Sequence, residues 1–149
     1  MTIGLADAER ARTAIASHVL RTPLVSSHSL GERVGAEAFL KLENLQRTGS
    51  FKVRGAVNAV SRLDAAARRS GIVTFSAGNA AQAIAYAGRA YGAAVTVVMP
   101  ETAPKTKVDA TRGYGGEVRF GADATKLTAI AEGLVAEGKR MLHPFDDDD

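Results

Sequence analysis

Two short stretches carry residue types able to do chemistry. The first is TGSFKVRG, residues 48–55, in which Lys52 follows a Gly49-Ser50 turn and opens a helical pattern. A lysine amine acts as nucleophile or base only when uncharged, so it needs desolvation or positive charge nearby. Arg54 stands two residues on and Phe51 offers apolar cover, while the start of a helix adds partial positive charge. The second stretch is SAGNAAQ, residues 76–82, a small-residue turn that comes after the β-type run IVTF and opens another helix. Backbone N–H groups at such a helix start hold a carboxylate or a phosphate. Asn79 caps that helix or reaches a ligand oxygen. Each stretch also has a plainer meaning. Taken alone, Lys52 reads first as a surface lysine of an amphipathic helix, and Ser76-Ala77-Gly78-Asn79 as a simple N-cap turn.

Composition narrows the field. The chain has 149 residues, 46% hydrophobic and 23% charged, which suits one globular domain with a buried core. Its formal net charge is +3, the basic residues are scattered, and aromatic residues are only 5%, so nucleic acid is not an expected partner. There is no cysteine, which removes disulfides, thiolate chemistry and cysteine-bound zinc. His18, His28 and His143 lie too far apart in sequence for a metal-ligand motif. No apolar run reaches the roughly 20 residues of a membrane span, and the first residues carry no signal-peptide core. A soluble, cytoplasmic protein is expected. The acidic tail, residues 146–149, reads as solvated, because four adjacent carboxylates on a chain end do not pre-organise a metal shell.

The elements that must position the two stretches can be read from periodicity. Residues 5–20 read as an amphipathic helix, with Thr2 or Asp7 near its start, broken by Pro23. Residues 38–43 read as a short strand and 51–63 as a helix. Strands are then predicted at 72–75, 94–99, 117–120 and 140–142, with helices at 79–91, 104–112 and 123–137. Gly113, Gly115 and Gly116 precede a strand, so they read as helix termination and turn and not as a dinucleotide fingerprint. Alternating strands and helices with short connections predict an α/β fold, a parallel sheet flanked by helices. Such sheets bind ligands at the carboxyl ends of their strands.

The two stretches together resemble one family. TGSFKVRGA, preceded by KLENLQ at residues 41–46, resembles the cofactor-lysine segment of fold-type II pyridoxal-phosphate enzymes, nearest to the threonine/serine dehydratases and serine racemases. SAGNAAQAIAYAGR, residues 76–89, resembles their substrate-loop motif. RTPL at 21–24, VVMPETAPKTKVDATRGYGGEV at 97–118 and HPFDD at 143–147 are similar to the same family, in the same order. The resemblance implies a truncated tryptophan synthase β-like fold and pyridoxal 5'-phosphate as cofactor. Lys52 would hold that cofactor covalently and then act as base at the substrate α-carbon; Asn79 would hydrogen-bond the ring oxygen, and Phe51 would pack beside the ring. Ser76, Ala77, Gly78 and Asn79 would present backbone N–H groups to the substrate carboxylate. The implied reaction takes a hydroxy amino acid, threonine or serine, to 2-oxo acid and ammonia. Racemases of the family carry a second serine where this chain has Ala77, which has no exchangeable proton, so elimination is expected over racemisation.

The chain also departs from the family pattern. Ala80 stands at the motif's usual histidine and Ala83 at its usual glycine. Family members are longer, and their glycine-rich phosphate loop and pyridine-nitrogen partner lie in a later half with no counterpart after Lys52 here. Residues 1–52 are therefore expected to be the N-terminal part of the large cofactor domain and 53–149 the small α/β domain. The alternative is a catalytically inactive fragment or an interaction and regulatory remnant. Either would expose a domain surface, so a homo-oligomer or self-association is expected.

Overall fold

The computed structural model describes residues 3–144. Thr2, Phe145 and the acidic tail, with the last part of HPFDD, lie outside the described residues. The described chain runs α1 (Leu5–Ile15), β1 (Leu24–Ser26), α2 (His28–Val34), β2 (Phe39–Lys41), a 3₁₀ turn (Glu43–Leu45), α3 (Lys52–Arg62) and α4 (Ala65–Ser70). It continues β3 (Ile72–Phe75), α5 (Asn79–Tyr91), β4 (Val95–Pro100), α6 (Lys105–Gly113), β5 (Glu117–Gly121), α7 (Ala124–Ala136) and β6 (Arg140–Met141).

Strands β3 to β6 build an all-parallel sheet of order β5-β4-β3-β6, as the strand and helix alternation predicts. Strand alternation divides its side chains between two faces. Ile72, Val95, Val97 and Met99 pack with α1, α3, α5 and α6, while Val73 and Val98 pack with Ala131 and Leu134 of α7. Both faces are covered, which is why β3 and β4 are almost continuously apolar. The chain steps outward from β3 to β4 to β5 and then returns through α7 to β6 on the other side of β3. The order therefore reverses between β3 and β6. The carboxyl ends of those two strands form the crevice where ligands bind in open α/β sheets.

Two helices set the crevice wall. α3 buries Val53, Ala56, Val57 and Val60 on one stripe, and α5 buries residues 80–85 with Ala87 and Gly88. Small side chains let α5 lie close to the sheet. At Gly88 an added Cβ would meet Val95 Cγ2 at 2.2 Å and the Ala93 carbonyl at 2.8 Å.

The N-terminal segment departs from expectation. The first helix stops at Ile15, not at residue 20, and tertiary contacts claim His18 and Leu20 beyond it. The Gln46 side chain bonds both the N–H and the C=O of Leu20 at 2.8 Å. The Tyr86 hydroxyl donates to the His18 carbonyl, and the His18 ring lies 4.8 Å from that of Tyr91. Asp7 does serve the start of α1: its carboxylate accepts the Gly4 N–H at 2.8 Å. The strand expected at 38–43 contracts to β2, antiparallel to β1 in a separate two-stranded ribbon, and Glu43 opens the 3₁₀ turn instead. α2 and α4 are elements that periodicity did not indicate. Among the described residues, no helix is long and apolar enough to cross a membrane, and no group of three acidic, histidine or cysteine side chains is placed to hold a metal ion.

Candidate functional site

Lys52 is the first residue of α3, placed there by the Thr48-Gly49-Ser50 turn. Gly49 adopts φ +69°, the left-handed region that favours glycine, and its N–H donates to the Gln46 carbonyl at 2.8 Å. The neighbouring Thr48 and Ser50 are buried, with no hydrogen-bond partner for either hydroxyl oxygen among the described residues. The Lys52 amine donates to the Pro144 carbonyl at 3.2 Å, so it faces the chain leaving β6. It also lies 5.6 Å from the ring centroid of Phe51, which is exposed.

Of the two positive charges expected beside Lys52, one is otherwise engaged. The Arg54 guanidinium forms a two-pronged bond to the Glu43 carboxylate, at 2.9 Å through Nε and 2.8 Å through an Nη, and a further bond to the Leu20 carbonyl. The bond from Arg54 holds the Glu43 carboxyl below its ordinary value, against the upward push of burial, with help from the Thr22 hydroxyl. Glu43 in turn raises Arg54. This pair is a structural tie between the 3₁₀ turn and α3; the start of α3 is what remains as positive potential at Lys52.

The second stretch sits across the crevice. Ser76 continues β3, its N–H donating to the Val98 carbonyl at 3.2 Å, and its hydroxyl oxygen accepts the Gly78 N–H at 3.2 Å. That local bond shapes the turn into α5, with Gly78 at the N-cap and Asn79 as first helical residue. Of the four N–H groups expected to face a carboxylate, those of Ser76 and Gly78 are thus taken within the protein. The first turn of α5, from Asn79 through Ala81, is where a helix supplies no carbonyl for its own N–H groups. The Asn79 side-chain oxygen accepts from the Lys107 amine at 2.8 Å, a contact the sequence did not suggest.

A cavity of about 480 Å³ gathers all of these positions: Phe51, Lys52, Ser76, Ala77, Gly78, Asn79 and Ala80 line it, with Phe75, Val98, Pro100 and Leu127. Among the described residues, Lys52 is its one ionisable lining side chain. A second recess of about 510 Å³ shares Phe51, Lys52 and Ala80 and runs between α3 and α5 past Ala83 to His143 and Pro144. The His143 and Phe75 rings meet in a T-shaped contact, their centroids 4.9 Å apart. His143, Pro144 and Lys107 are the site neighbours that residue-by-residue reasoning missed. Their signal lay in the HPFDD and TAPKTKVD stretches, which carried the resemblance but were assigned no role.

A lysine amine, an asparagine side chain and helix N–H groups around an apolar slot fit an aromatic aldehyde that carries a ring oxygen and an anionic group. Comparison with known proteins agrees with that chemistry. The family described as pyridoxal-phosphate dependent enzyme matches residues 15–149. The catabolic L-threonine dehydratase of Staphylococcus aureus is 42% identical over 148 residues, spanning 97% of this chain and 43% of that protein. The L-threo-3-hydroxyaspartate ammonia-lyase of a Pseudomonas species is 56% identical over 100 residues, 67% of this chain and 31% of that protein. The crystal structure of serine racemase from Dictyostelium discoideum superposes with a TM-score of 0.91 at 37% identity, covering 99% of this chain and 48% of that one. The chain spans less than half the length of each of these relatives. With the lysine turn and the helix-opening turn facing each other across a parallel sheet of this order, the chain belongs to the pyridoxal-phosphate-dependent enzymes of the threonine dehydratase kind, and corresponds to their N-terminal half.

Proposed function

We propose that this chain forms the lysine-bearing part of a pyridoxal-phosphate-dependent ammonia-lyase for hydroxy amino acids, with threonine or serine as substrate. The observation that carries this reading is the single cavity that brings Phe51, Lys52 and residues 76–79 together at the carboxyl ends of β3 and β4. In this reading residues 1–52 belong to the larger cofactor domain and 53–149 to the smaller one.

When bound, the cofactor supplies the electron sink that makes the substrate α-proton acidic. The protein supplies position and protons. Lys52, the first residue of α3, would anchor the cofactor, and its amine would take the α-proton. The Asn79 side chain would bond the ring oxygen and Phe51 would flank the ring, both lining the cavity. The Ala77 N–H and the first turn of α5 from Asn79 onward would receive the substrate carboxylate, whose charge the helix start would stabilise. The net change removes the α-proton and the β-hydroxyl as water, returns water, and releases ammonia and the 2-oxo acid. Ala77 carries no proton to return to the opposite face of the α-carbon, which favours elimination over racemisation although a racemase is among the structural relatives.

Borohydride reduction of the chain with pyridoxal phosphate, followed by peptide mass, tests this. The expected outcome is a pyridoxyl group on Lys52 alone, abolished by Lys52→Ala. Label spread over surface lysines would overturn it. A second reading has one observation in its favour. All six residues of β1 and β2 are exposed, Leu24 and Phe39 among them, which suits a chain that keeps the fold as an interaction module without catalysis. A chain that stays folded but takes up no cofactor would decide for that reading.

A further inference from the structure

Lys107 is the one charged side chain the structure sets against Asn79 among the described residues, and the proposed function gives it no role. We infer that Lys107 is a positioning residue that fixes the amide of Asn79 with its NH2 end toward the cavity. The inference rests on the proposed cofactor site. An ammonium group only donates, so it binds the oxygen end of an amide, and the Lys107 amine does so at 2.8 Å. The amide plane is then set, and the end left to meet a ligand in the cavity that Asn79 lines is the NH2 donor. A donor there suits an anionic ring oxygen; the opposite amide orientation would turn an acceptor toward it.

The backbone beneath Lys107 is well held. Its N–H donates to the Pro104 carbonyl, its carbonyl accepts the Thr111 hydroxyl, and Val108 beside it is buried in the core. Its charge is also poorly placed for stability alone. Lys107 lies in the first turn of α6 and reaches the first residue of α5, the positive ends of two helix dipoles. Among the described residues no carboxylate pairs with it, whereas Lys105 on the same helix pairs with Asp109. A cation kept at two helix starts, with an amide oxygen as its partner, is explained by an anionic ligand that the amide meets on its other side.

The test is a pyridoxal phosphate titration, read by cofactor absorbance, of the full chain and of Lys107→Met, Lys107→Arg, Asn79→Ala and the Asn79→Ala/Lys107→Met double variant. Lys107→Met is expected to weaken binding about fivefold, the scale of one net hydrogen bond. Lys107→Arg restores it, and the double variant binds no worse than Asn79→Ala. Unchanged binding in Lys107→Met, or losses that multiply in the double variant, would overturn the inference. The side-chain amide signals of Asn79 in the NMR spectrum of the cofactor-free chain give a separate readout. They are expected to shift in Lys107→Met and return in Lys107→Arg; signals identical in all three would overturn it. A chain that binds no cofactor at all sinks the proposed function, and these signals still decide the role of Lys107.

Discussion

At the scale of single residues, small side chains decide how closely the crevice walls approach. Gly88 illustrates this best, because its Cα faces Val95 and the Ala93 carbonyl with no room for a methyl group. Val95 is itself buried in the core, so it cannot simply swing away. Gly88→Ala is expected to cost about 2–3 kcal/mol through overpacking, despite the better helix propensity of alanine. For a chain of this size that lowers the melting temperature by about 5–10 °C, measured by calorimetry. An unchanged or raised melting temperature would show that β4 gives way without strain. Ala80 and Ala83 belong to the same argument. Both are buried in α5 and line the recess beside Lys52, where a histidine or another large side chain would fill the space.

At the scale of elements, the legible parts were those whose signals are local. α5 runs over the very span its pattern predicts, because an alanine-rich helix between a strand and Gly92 has no competing contact. The N-terminal segment was less legible because long-range contacts shape it. Nothing near Leu20 in sequence announces that Gln46 will bind it, and nothing beside Lys52 shows that Arg54 will turn to Glu43. That last pair makes a pH-dependent prediction. The folded state holds Glu43 below its ordinary value through the Arg54 bond, so the carboxylate's stabilisation is complete above the unfolded value of about 4.3 and is lost as pH falls through the lowered folded one. Glu43→Gln keeps the shape and removes the charge. Near neutral pH it is expected to be less stable by about 1–2 kcal/mol, and the gap should close as acid protonates Glu43. Urea unfolding at several pH values measures this; parallel profiles for the two proteins would mean that the pair adds no stability.

At the scale of the whole molecule, the two sheets differ in how well they are covered. The parallel sheet is packed on both faces, but the β1 and β2 ribbon has no helix over it among the described residues and shows Leu24 at 64% and Phe39 at 57% exposure. Leu30 and Val34 of α2 and Leu45 of the 3₁₀ turn are exposed as well. A two-stranded ribbon is marginal by itself, and here it is tied to the rest through the Glu43 bonds to Arg54 of α3 and the Gln46 bonds to Leu20. Apolar side chains on a short, uncovered ribbon favour contact with another apolar surface, and in a solution of this chain alone the one on offer is a second copy. Self-association is therefore expected to rise with concentration in sedimentation, and Leu24→Lys with Phe39→Lys should reduce it without unfolding the chain, since neither side chain belongs to the core. Because the cavity at Lys52 lies at the other sheet, the same double variant should take up pyridoxal phosphate as the parent does. Loss of labelling at Lys52 in that variant would show that the ribbon supports the site, and monomeric behaviour of the parent at high concentration would show that its apolar side chains do not drive assembly.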